Sequence, residues 1–77
     1  MTIWEYIYMD DSPNRWCTTR AAAFLGKLGW ELVHLSERAT QAIFKRELRM
    51  DQVSASSCIQ RWKASEMGDT VRLTLGS

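Results

Sequence analysis

Any chemistry in this chain would have to come from few side chains: one histidine, His34; two cysteines, Cys17 and Cys58; and the adjacent acids Asp10 and Asp11. A hydrolytic or transfer site needs a nucleophile, a base beside it and a group that orients the base. No Ser or Cys stands at a recognisable spacing from His34, which falls inside a strand-like run and reads as a residue of a sheet surface or subunit contact. Asp10-Asp11 precedes Ser12-Pro13, where acids favour a turn, and no third ligand follows at calcium-loop spacing. The cysteines lack C-x-x-C spacing and read as reduced, small apolar core residues. Gly26 and Gly29 make no phosphate loop, because both belong to one helix-to-strand junction. The expectation is a protein that is not an enzyme, with no catalytic residue, no metal site and no cofactor.

Composition narrows the classes further. The chain has 77 residues, ten Lys+Arg against nine Asp+Glu, and 45% hydrophobic residues, which describes one small globular domain spanning 1–77. A net charge of +1 argues against a partner bound chiefly through phosphates. No apolar run approaches the roughly 20 residues that span a bilayer. Met1 to Tyr6 lacks the basic and apolar regions of a secretory signal, so a cytoplasmic location is expected. Four Trp among eight aromatics is a heavy aromatic load for so small a core.

The elements that must position these residues follow from periodicity. Residues 3–9 alternate as a strand, with Trp4, Tyr6 and Tyr8 on one face and Ile3, Glu5, Ile7 and Met9 on the other. Ser12 before Pro13, or else Asn14, caps a helix whose apolar stripe is Cys17, Ala21, Phe24, Leu25 and Leu28. Gly29 stops it, and Gly26 inside it suggests a close approach to a strand. Residues 30–35 form a second strand and 40–49 a third, the latter setting Ala42, Phe44, Arg46 and Leu48 against Gln41, Ile43, Lys45 and Glu47. Ala55, Cys58, Ile59 and Trp62 mark a second helix, capped by Ser54 or Asp51 and stopped by Gly68; residues 70–75 close as a fourth strand. This order predicts an α+β, βαββαβ split βαβ (ferredoxin-like) fold: a four-stranded antiparallel sheet with two helices on one face. Trp4, Tyr6, Tyr8 and Phe44 are expected on the inner face, beneath the helices.

Trp4-Glu5-Tyr6, then Leu25-Gly26-Lys27-Leu28-Gly29-Trp30-Glu31-Leu32-Val33, then Ile43-Phe44-Lys45-Arg46 resembles a family of very short bacterial and phage domains of unknown function. The likeness covers about residues 4–48. It implies a βαββ core over 3–49 and a bacterial or phage source, and brings no activity or cofactor. Glu47 stands where that family often has Pro, and the helix-strand extension over 50–77 rests on periodicity alone.

The leading expectation is a non-enzymatic interaction module working through a protein surface, as a homo-oligomer or with another protein. Its interface candidates are Trp16, one residue off the apolar stripe of the first helix, and Ile7, Met9, Val33, Leu35 and Ile43 on a sheet face that needs cover. One alternative is a phage-type inhibitor that occupies a host protein or sequesters a nucleotide-like small anion; Tyr8, Trp30 or Trp62 would stack on the base and Arg46 or Arg72 hold the phosphate. Another is a sheet that stacks single-stranded nucleic acid on Tyr6 or Tyr8 and Phe44, although the Arg/Lys-Gly-aromatic signature of such sheets is missing.

Overall fold

A computed structural model of the chain describes residues 2–76. Strand β1 (Trp4–Asp10) leads into helix α1 (Arg15–Lys27), the hairpin of β2 (Glu31–Leu35) and β3 (Ala42–Glu47), helix α2 (Ala55–Ala64) and strand β4 (Arg72–Leu75). The strands form one antiparallel sheet in the order β2-β3-β1-β4. Each helix therefore joins strands that are not neighbours, α1 passing over β3 and α2 over β1.

Local signals account for the helix ends. Asn14 caps α1, its side chain accepting the Cys17 N–H at 3.0 Å. Ser12 is instead buried, accepting from the Thr18 hydroxyl at 2.7 Å, while Thr18 also reaches the Ala39 carbonyl across the molecule. These contacts tie the turn before α1 to the β2–β3 hairpin. At the other end of α1, Trp30 N–H donates to Leu25 O and Gly29 N–H to Gly26 O, both at 3.1 Å, with Gly29 at φ +90°. That is the paired bonding of a Schellman stop, and it requires the left-handed residue that glycine supplies. Helix α2 begins at Ser54, which accepts the Ser57 N–H at 3.2 Å, and ends at Ser65.

Both helices pack on one face of the sheet. Ile7, Met9, Ala42, Phe44 and Leu73 meet Cys17, Ala21 and Leu25 of α1 and Ala55, Cys58, Ile59 and Trp62 of α2. Trp62 is the largest fully buried side chain; its indole donates to Val71 O at 3.2 Å and its ring meets Phe24 edge-on at 5.4 Å. Burying a side chain of the Leu, Ile or Phe type contributes about 1.5–3 kcal/mol, so this single layer holds most of the apolar stabilisation. Cys17 and Cys58 are free thiols within it.

The faces of β1 are the reverse of the expectation. Ile7 lies opposite Phe44 and Met9 opposite Ala42, so both point to the helices and are buried, whereas Trp4, Tyr6 and Tyr8 align with Glu47, Lys45 and Ile43 on the face that no helix covers. The reason lies in β3. Turning the tyrosine face inward would bury Lys45 and Glu47 with it and leave two phenolic hydroxyls seeking partners in the core. A second departure is a bulge at Val33, between the Leu32–Phe44 and His34–Ile43 pairs. It shifts the alternation of β2 by one residue, so His34 joins the bare face and Leu35 pairs with Ala42 on the helix side.

Arg46 is nearly fully buried. Its Nε donates to Glu5 Oε2 at 2.7 Å, Nη1 to the Leu28 carbonyl at 2.9 Å and Nη2 to the Val53 carbonyl, and the guanidinium lies 4.5 Å over the Trp30 ring. One side chain thus joins β1, the end of α1 and the segment leading to α2. Arg46→Leu strands the Glu5 carboxylate and should cost about 3 kcal/mol or more in chemical denaturation, with Arg46→Lys recovering little because an ammonium lacks the planar fork.

The glycines separate in the same way. A Cβ on Gly26 would meet nothing within 4 Å, so no strand approaches it and the expected close contact is absent. A Cβ on Gly68 would fall 2.7 Å from the Trp62 carbonyl oxygen and closer still to that of Lys63. Gly26→Ala should therefore stabilise the fold by roughly 0.5–1 kcal/mol, and Gly68→Ala destabilise it by about 1–3 kcal/mol, measured as shifts in the denaturation midpoint.

Candidate functional site: the bare face of the sheet

The uncovered face is built from alternate residues of all four strands. Trp4, Tyr6, Tyr8 and Asp10 run along β1, flanked by Ile43, Lys45 and Glu47 of β3, by Thr74 and Arg72 of β4, and by Glu31 and His34 of β2. Trp4 is 44% exposed and Tyr8 40%, large values for aromatics in the middle of a sheet. The Lys45 ammonium sits 4.4 Å over the Trp4 ring. At the opposite end Arg72 bridges Asp10 and Asp11, each at 3.2 Å. Gly76 donates its N–H to Tyr6 O, and a Cβ there would fall 2.8 Å from Tyr8 Cε1, so the C-terminal backbone lies directly against the tyrosine ring.

At the Asp10 end an open groove of about 450 Å³ is lined by Tyr8, His34, Gln41, Ile43, Arg72 and Thr74. Asp10 also lines it, its carboxyl held below the ordinary value of 3.8 first by the Gln41 amide at 3.0 Å, then by the Asp11 N–H and the Arg72 guanidinium. His34, exposed here, is separated by the sheet from the buried thiols of Cys17 and Cys58. Among the described residues no three His, Cys, Asp or Glu side chains group as metal ligands, and no helix is long and apolar enough to cross a membrane.

The residues singled out from sequence therefore part company. Of the ligand candidates, Tyr8 and Arg72 come together in the groove. Trp30 and Trp62 are core residues on the other side of the sheet, and Arg46 is spent on three internal acceptors, so none of these three is open to a ligand. Of the interface candidates, Ile7 and Met9 are buried beneath the helices, Ile43 lies half-buried on the bare face, Val33 and Leu35 are exposed on the edge strand β2, and Trp16 is 60% exposed on α1. Phe44, the proposed second platform for bases, is buried. Tyr6, offered from sequence as a platform for bases, does lie on the bare face, whereas Trp4 and Lys45 were not singled out as site residues; their signal was the alternation of β1 and β3, legible only once the two strands are set in register.

The chain matches no protein-family model, no curated protein and no solved structure.

The Asp10 tie has a pH signature. A carboxyl whose pKa is lowered by folding stabilises the folded state fully above its unfolded value and loses that contribution as the pH falls through the lowered one. Wild-type stability should accordingly fall more steeply with acid below about pH 4 than that of Asp10→Asn, in denaturation curves taken across that range. Equal acid slopes would remove Asp10 from the account.

Proposed function

We propose that this chain is a non-enzymatic interaction module of bacterial or phage type, acting in the cytoplasm, in which two copies associate through the bare faces of their sheets. The interleaved strand order with both helices on one side supports the ferredoxin-like reading of the fold. The observation that carries the proposal is the row Trp4, Tyr6 and Tyr8 on central strand β1, joined by Ile43 on the face that neither helix covers, with Trp4 and Tyr8 still exposed. A small domain whose core is one layer deep gains most by covering such a face with a second one, sheet on sheet.

Charge favours a copy of the same chain over a nucleic acid. The basic residues of this face, Lys45 and Arg72, are outnumbered by Asp10, Glu31 and Glu47, and both are already engaged, Lys45 over Trp4 and Arg72 by two carboxylates. A phosphate backbone would meet little free positive charge here. A second reading, a nucleotide-like anion in the groove, is favoured by the meeting of Tyr8 and Arg72 alone, and Asp10 and Asp11 weaken it by occupying the guanidinium.

Sedimentation equilibrium across micromolar concentrations should give twice the 8.9 kDa chain mass, and Tyr8→Glu should return the mass to 8.9 kDa with an unchanged circular dichroism spectrum. A wild-type monomer throughout the range would sink the dimer. A thermal shift on adding nucleotides would instead favour the anion reading, since a ligand at 100 times its Kd adds about 2.7 kcal/mol.

A further inference from the structure

The charges of this chain are sorted by layer. Helices α1 and α2 carry Arg15, Arg20, Lys27, Arg61 and Lys63 and no Asp or Glu. All five cations are exposed, and among the described residues none of them forms an ion pair. In the sheet, by contrast, Arg46 is paired with Glu5, Arg72 with Asp10 and Asp11, and Lys45 lies over Trp4. A net charge of +1 thus conceals a helical layer that is basic throughout.

On α1, Trp16, Arg20, Ala23 and Lys27 recur at helical spacing and form one exposed stripe, with the Arg20 guanidinium 5.3 Å from the centre of the Trp16 ring. The stripe borders a groove of about 350 Å³ between α1 and the end of α2. Phe24, Trp62 and Met67 give this groove an apolar lining; Arg20 and Lys27 stand on the α1 side and Glu66 on the α2 side. The eleven-residue rise from Trp16 to Lys27 is about 16 Å, the length of three helical turns.

We propose that this groove docks an acidic amphipathic segment of another protein. An apolar anchor of the segment sits against the half-buried Phe24 and Met67, beneath which Trp62 is packed, its carboxylates meet Arg20 and Lys27, and Trp16 covers its flank. This is helix-in-groove recognition, in which apolar anchors give affinity and flanking charges give orientation and encounter rate. The layout favours a peptide over a nucleic acid or a lipid surface. Arg61 and Lys63 line other grooves, beside Ser56 and beside Asp69, so no continuous basic track runs across the layer. Glu66 in the groove would repel a uniform polyanion. The inference is independent of the dimer, because the helices lie on the face of the sheet opposite to Trp4, Tyr6 and Tyr8.

The probe is a fluorescein-labelled helical peptide of about sixteen residues with Glu along one face and Leu and Phe at i, i+3, i+4 and i+7 along the other, compared with a scrambled peptide of equal composition. Anisotropy titration of the whole protein should give saturable binding of the patterned peptide at low salt. Trp16→Ala and the double variant Arg20→Glu/Lys27→Glu should each weaken it about tenfold or more; both alter exposed positions, and Arg20→Gln/Lys27→Gln serves if the reversal unfolds the chain. The proposal is overturned if the patterned peptide does not saturate, if it binds no better than the scrambled one, or if the variants bind as well as the wild type. It is equally overturned if a single-stranded oligonucleotide or anionic phosphatidylglycerol vesicles bind more tightly than the peptide with the same dependence on Arg20 and Lys27. Unchanged sedimentation of these variants separates failure here from failure of the sheet-face dimer.

Discussion

A buried guanidinium is tolerated only where its donors find acceptors, and Arg46 finds them in three different parts of the chain: the Glu5 carboxylate on β1, the Leu28 carbonyl at the end of α1 and the Val53 carbonyl ahead of α2. Satisfying one arginine therefore sets the register of β1 against β3, the place where α1 stops and the path of the segment that crosses to α2. The Schellman stop contributes to the same arrangement. By bringing Trp30 back over Leu25 it lays the indole under the guanidinium, where the ring face compensates the cation for lost water. The Trp30 indole Nε1–H is left buried without a partner, a cost of about 1–3 kcal/mol that the stacking helps to offset. Such a knot adds little net stability over an apolar replacement of equal shape. Its value is selective, because alternative packings would leave a charge stranded.

With that corner held, the two sides of the sheet are free to differ. The helices bury their apolar residues and turn their own cations outward, unpaired among the described residues; the bare face of the sheet keeps its aromatics outward and pairs or stacks its cations. A chain that is nearly neutral overall thus has one surface suited to apolar association and another with a long-range positive field.

Much of the local structure was legible in the chain. Gly29 as a left-handed stop and the order of six elements follow from short-range chemistry; the caps were narrowed to Ser12 or Asn14 and to Ser54 or Asp51, of which Asn14 and Ser54 serve, and α2 stops at Ser65, ahead of the expected Gly68. What was not legible depends on pairing. Both faces of β1 are apolar, so its alternation says that it is a strand without saying which side is inside; only the pairing of Ile7 with Phe44 and of Glu5 with Arg46 decides it. The bulge at Val33 leaves no mark in the composition of β2, yet it moves His34 and Leu35 to opposite sides. Arg46 could be taken for a phosphate ligand because its acceptors are main-chain carbonyls and one distant carboxylate, none of them visible as a motif. The candidate site suffered most, since it consists of whatever the inverted face exposes.

The bulge in β2 also bears on whether the sheet can grow at its edge. β2 is an edge strand, all five of its residues are exposed, and Leu32, Val33 and Leu35 would suit an incoming strand. An uninterrupted ladder there would let sheet join sheet end to end without limit, the route to fibres. With Val33 inserted, the outward amides and carbonyls lose their even spacing, and a second strand can bond on one side of the irregularity only. Growth of the sheet past β2 is thereby disfavoured, so this apolar edge can stay exposed without becoming a template for further strands.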